Sequence, residues 1–199
     1  MASYQNRRIL PIILVVIIVI IAVAALVSLA RAVFFSGDSQ PAVTDISRQE
    51  LVNTSVGHSV TMTVRGPIVA DESFNSYGIT VTPTERSLTT YRGYLDQVVD
   101  REALSNNTAA YEEFVYALDK ARLADGRQLD AEKDDVRGVC ATGRLYEFSI
   151  VNSGTTIKRL WTSTCNGSRG SLTGNVDQLR QLFTAQIPNA DTLTRKIKL

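Results

Sequence analysis

The feature that most limits what this chain can become is ILPIILVVIIVIIAVAALVSLA, residues 9–30, in which 22 consecutive positions carry no charge. At about 1.5 Å per residue this stretch makes a helix of roughly 33 Å, against a bilayer hydrocarbon core of about 30 Å. A helix apolar on every face for about six turns has no polar side to offer water. A cleaved secretory signal would carry a shorter apolar region, about 7–15 residues, ending in a small-x-small site. Here the nearest such site, Ala30-Arg31-Ala32, has an arginine at its centre. The expectation is one transmembrane helix over residues 9–31. Arg7 and Arg8 precede it, whereas Arg31 is followed by Asp38 and Asp45. This asymmetry predicts a cytoplasmic stub at residues 1–8 and an extracytoplasmic, disulfide-permissive location for all that follows the span.

Residues 32–50 read as a linker: SGDSQPAVTDISRQE is polar, contains Gly37 and Pro41, and has no sustained apolar period. Residues 51–199 then form one extracytoplasmic domain, long enough for a single core that needs no metal. The chain has 21 Lys and Arg against 20 Asp and Glu; Arg7, Arg8 and Arg31 set aside, 18 stand against 20. A slightly acidic domain does not suit nucleic acid, which calls for a basic stripe. The one basic cluster, TRKIKL at residues 194–199, reads as a short solvated tail.

Periodicity within the domain predicts α+β. Val60 to Val64 alternates apolar residues with threonine, Tyr77, Ile79 and Val81 alternate again, and Ser87 to Tyr91 is a third extended segment. Leu95, Val98, Val99 and Ala103 fall at helical spacing. A second helix is expected from Ala109 to Ala124, with Asn107 or Thr108 as cap and Gly126 just past its end. Next comes a hairpin with arms 139–151 and 156–165 around Asn152-Ser153-Gly154. In it Cys140, Tyr146, Phe148 and Ile150 share one face of the first arm, and Ile157, Trp161 and Cys165 share one face of the second. A last helix runs from Val176 to Gln186, capped by Asn175 and stopped by Pro188. Strands, helices, hairpin, helix is an order without βαβ alternation, so the sheet should be mainly antiparallel with helices packed on it.

Cys140 and Cys165 are the two cysteines of the chain. A two-residue turn at 152–153 sets 140 directly opposite 165; a turn at 153–154 leaves them diagonal on the same face, within bridging distance. A bulge would invert one of them. A redox pair would show C-x-x-C, and zinc needs about four ligands, whereas the chain offers two cysteines and the single His58. A structural disulfide is expected, with two free buried cysteines as the alternative.

Candidates for chemistry are few. His58 precedes Ser59, but neighbours in a strand point to opposite faces, and no G-x-S-x-G elbow occurs, so His58 reads as a solvated residue at a strand start. Asp130, Glu132 and Asp134 have the alternate spacing of a calcium loop but lack its glycine at the sixth position and acid at the twelfth, and read as a solvated loop. Asn166 to Ser171 is flexible but matches no phosphate loop. No catalytic, cofactor-binding or metal residue is assigned, and no cofactor is expected.

The segments LWTSTCNGSRGSLTG and VDQLRQLFTAQIPNA, residues 160–174 and 176–190, resemble a carboxyl-terminal pattern of uncharacterised single-pass envelope proteins of small-genome candidate-phylum bacteria. The resemblance implies a membrane-anchored cell-envelope protein and no particular activity. The layout of stub, span and small α+β domain also resembles bitopic subunits of secretion and pilus machines. The expected function is a non-catalytic, membrane-anchored extracytoplasmic module that binds a protein or envelope partner and no nucleic acid. The alternative is a tethered hydrolase using carboxylates around Asp96, Asp100 and Glu102.

Overall fold

The computed structural model describes residues 46–199; the expected cytoplasmic stub, the expected transmembrane helix and residues 32–45 of the expected linker lie outside the described residues. No helix among the described residues is long and apolar enough to cross a membrane. The architecture is α+β, as the periodicity predicts. A six-stranded antiparallel sheet has the order β4-β3-β2-β1-β5-β6, with strands β1 (His58–Arg65), β2 (Asn75–Val81), β3 (Glu85–Arg92), β4 (Gln97–Ser105), β5 (Leu145–Asn152) and β6 (Thr155–Ser163). Among the described residues four α-helices accompany it: α1 (Ser47–Leu51), α2 (Thr108–Lys120), α3 (Val176–Thr184) and α4 (Ala190–Arg195).

Alternation in β1 sets the sheet's two faces. Val60, Met62 and Val64 stand opposite Val81, Ile79 and Tyr77 of β2 on one side and Ile150, Phe148 and Tyr146 of β5 on the other. All nine belong to the core, because period-two side chains from three adjacent strands converge on one surface. Tyr111, Phe114, Val115 and Leu118 of α2 and Leu179 and Phe183 of α3 cover it. The Phe183 ring stands edge-on to Phe114 at 5.3 Å between centroids and meets Phe148 at 5.9 Å, so one aromatic joins both helices to the sheet. The opposite face is polar; Thr61 and Thr80 are hydrogen-bonded across it.

Helix ends follow their capping chemistry. Asn107 accepts from Ala110 N, and Asn175 accepts from Asp177 N and Gln178 N. The end of α2 is closed at Arg122 instead of Gly126: Arg122 has φ +64°, its N–H reaches Asp119 O, and Leu123 N reaches Leu118 O, a Schellman pattern. Gly126, with φ +125°, forms an isolated bridge to Leu172, where a side chain would collide with Ser171 O.

Four sequence expectations need correction. Residues 97–105, read as helical, are the edge strand β4, whose Val98 and Val99 are exposed. The linker reading fails from Ser47 onward: α1 packs against β5, β6 and α2, and Leu51 is fully buried. The basic tail at residues 194–199 is not a solvated extension: Thr194 and Arg195 close helix α4, and Ile197 beyond it is buried. Trp161 does not share the face of Ile157, because a bulge between β5 and β6 pairs Val151 with Thr156 and Ile150 with Lys158, leaving Ile157 as the extra residue. Lys158 and Leu160 consequently face the helices, and Trp161 lies opposite Glu147 on the other side.

Candidate functional site: a disulfide beside a cationic cavity

Cys140 and Cys165 form a disulfide with a Cα separation of 5.4 Å. The turn sits at Ser153-Gly154, both with positive φ, as a two-residue type I′ hairpin requires. The paired arms end at Leu145 and Ser163, so the bridge does not cross the ladder. It lies just past the arms' open end, where Arg144 and Thr164 add a further pair of bonds: Thr164 N donates to Arg144 O, and Arg144 N to Thr164 Oγ1. Gly143 passes so close to both sulfurs that a Cβ there would stand 2.9 Å from one and 3.2 Å from the other.

On the polar face of the sheet, the loop after α2 is held by a charge network. Glu147 accepts from Arg65 Nε at 2.8 Å and Arg159 Nε at 2.9 Å; Arg159 Nη1 also donates to Asp134 Oδ2 at 3.1 Å. The other Asp134 oxygen accepts from the Trp161 indole N–H at 3.0 Å. Asp134, expected in a solvated loop with Asp130 and Glu132, is 8 % exposed and anchors that loop, while Asp130 and Glu132 are exposed. No group of three His, Cys, Asp or Glu side chains that could hold a metal is found among the described residues.

His58 is buried rather than solvated. Its Nε2 lies 2.8 Å from Glu50 Oε2 and its Nδ1 3.2 Å from Ser55 O. Both ring nitrogens face oxygen acceptors, so only the protonated ring can donate to both. Asn152 Nδ2 donates to the same Glu50 oxygen, tying α1 to the end of β5. The hydrogen bond from His58 holds the Glu50 carboxyl below its ordinary range, against a smaller opposing effect of burial.

Of the carboxylates considered for hydrolysis, Asp100 and Glu102 share one face of β4 and Asp96 precedes the strand. Asp96, with φ +52°, belongs to the β3–β4 turn. Asp100 is ion-paired with Lys196 at 2.8 Å, whose hydrogen bond and charge lower its carboxyl. Glu102 lies opposite Leu88 in the edge ladder. Asn166 to Ser171 works as an edge cover: Ser171 N and Leu172 N donate to Trp161 O, and Ser171 Oγ accepts from Trp161 N.

Next to the disulfide loop is a cavity of about 260 Å³ whose floor includes Tyr77 and Tyr146 and whose rim carries Arg144, Arg180, Arg195 and Lys198. Burial pushes the Tyr77 hydroxyl up to about 12, with the neighbouring Tyr146 adding to the effect, so it stays a neutral donor at neutral pH. Arg144 Nη2 donates to Leu199 O at 3.1 Å and Arg195 Nε to Asp191 O at 3.0 Å. Sequence reasoning missed this site because its residues come from β2, β5 and its approach, α3 and the α4 region, which share no local motif. The chain matches no protein-family model, no curated protein and no solved structure.

Proposed function

We propose that the protein is a membrane-anchored extracytoplasmic binding module that holds its α+β domain near the bilayer and engages a protein or envelope partner without catalysis. The observation that carries this reading is the uncharged segment Ile9–Ala30 with Arg7 and Arg8 before it. The Cys140–Cys165 disulfide supports it, since such bonds persist in oxidising compartments. The resemblance of residues 160–190 to single-pass envelope proteins points the same way. Removing residues 9–30 should release the chain from alkaline-washed membranes and abolish its cellular role. Alanine at Asp96, Asp100 or Glu102, singly, should leave that role nearly intact. Hydrolysis by the wild-type chain, lost on changing one of these carboxylates without loss of folding, would overturn the non-catalytic reading in favour of a tethered hydrolase.

A further inference from the structure

We infer that the cavity rimmed by Arg144, Arg180, Arg195 and Lys198 above Tyr77 and Tyr146 is a binding site for a phosphoryl group. The inference names the ligand chemistry of the binding module proposed above, and rests on that reading only for its biological use, not for its topology. Four cationic side chains converge on a space of about 260 Å³, and no acidic side chain lines it. Among the described residues no Asp or Glu side chain pairs with Arg144, Arg195 or Lys198, and Arg180 has only a loose contact, 3.7 Å, to an exposed Asp177. The Leu199 α-carboxylate, which accepts from Arg144, offsets one of the four positive charges, and the excess that remains favours a further anion.

Hydrogen-bond accounting agrees with the charge. Arg180 Nε is shut off from solvent and does not face the cavity, so only the outer N–H groups of its guanidinium can serve a ligand there. Arg144 spends one donor on the Leu199 α-carboxylate and Arg195 one on the Asp191 carbonyl, which fixes their side chains and leaves other N–H groups of each fork to be satisfied. The tyrosine hydroxyls on the floor add further donors. A site built from three forks and two hydroxyls needs a partner rich in acceptor oxygens. A carboxylate offers two oxygens and one charge, enough for one fork; a phosphoryl group offers three or four oxygens and up to two charges. The volume suits one such group with its first substituent atoms, below the usual range of about 300–1,000 Å³ for whole small-molecule pockets. The group could arrive as free phosphate or as the phosphomonoester headgroup of a lipid, and the chemistry of recognition is shared.

The test is calorimetric titration of the full-length chain in a neutral detergent with inorganic phosphate, with water-soluble dihexanoyl phosphatidate, and with acetate. Saturable binding of phosphate or phosphatidate, with acetate at least about tenfold weaker, is the expected result. Equal affinities for phosphate and phosphatidate, or phosphate alone, assign a free anion; phosphatidate at least about tenfold tighter assigns a headgroup. Arg180→Gln and Arg144→Gln should each weaken binding about tenfold or more while leaving thermal unfolding in ligand-free buffer within a few degrees of wild type. Absence of binding, equal binding of acetate, or affinities unchanged in both variants would overturn the inference. None of these results bears on the membrane topology, so the two readings fail separately.

Discussion

Replacing both Cys140 and Cys165 with alanine tests how the hairpin is held. The bridge closes a 25-residue loop, and chain-entropy arithmetic for that length gives about 3.5 kcal/mol of stabilisation. On this chain-entropy reasoning the effect lies in the unfolded chain. Without the bridge, the folded arms keep the whole β5–β6 ladder, the Arg144–Thr164 pair and the bonds from Ser163 Oγ to Ser168 O and from Ser168 Oγ to Val139 O. Cys140 is buried and small, so alanine leaves little void there. In a domain of about 150 residues the loss should lower the melting temperature by about 7–14 °C. Urea unfolding followed by far-ultraviolet circular dichroism should show the same loss together with a steeper denaturant dependence, since a chain without the cross-link exposes more surface when unfolded. A native spectrum with a loss under about 1 kcal/mol, or a loss with unchanged slope and altered native spectrum, would refute an unfolded-state origin.

Three further outcomes follow from individual contacts. Asp134→Ala removes the acceptor of Trp161 Nε1 and of Arg159 and should cost about 2 kcal/mol; a double-mutant cycle with Trp161→Phe should show coupling, and strict additivity would contradict the network. Gly170→Ala should destabilise by more than about 2 kcal/mol, because φ is +70° and the new methyl would meet Trp161 O, whereas Gly154→Ala, at φ +81° with open space around it, should cost roughly 1 kcal/mol, both read by thermal melting. The Glu50 carboxyl is lowered in the folded state, so its contribution is complete above its unfolded pKa and is lost as pH falls through the folded one; Glu50→Gln should flatten that acid limb in a pH series of unfolding curves, and an unchanged limb would contradict the His58–Glu50 contact.

How legible the fold was depended on where burial falls. In β1 and β2 one face is buried and the other polar, so alternation survives in the sequence, and α2 and α3 show both stripe and cap. Strand β4 has no buried apolar face: its partly covered positions are Asp100, Glu102 and Leu104. A bulge at Val99, between the pairs Thr90–Asp100 and Tyr91–Val98, breaks its period further, leaving apolar residues at a spacing that imitates a helix. The bulge at Ile157 did the same to Trp161. The disulfide was predicted from cysteine count and hairpin position, and the turn at 153–154 is one of the two considered; the bulge at Ile157 then shifts the register, and the paired arms stop short of both cysteines. His58 and Asp134 looked solvated because their partners, Glu50 and Trp161, lie 8 and 27 positions away, beyond any local motif.

The proposed placement of the folded domain outside the cytoplasm is tested most directly by placing a cysteine at Ser39, between the uncharged segment and the domain. Cells with any outer layer permeabilised but the inner membrane intact are treated with a membrane-impermeant thiol reagent, and the disulfide-bonded Cys140 and Cys165 serve as an unreactive internal reference. Full labelling of the Ser39→Cys chain in intact cells is the predicted result; labelling only after lysis would contradict it.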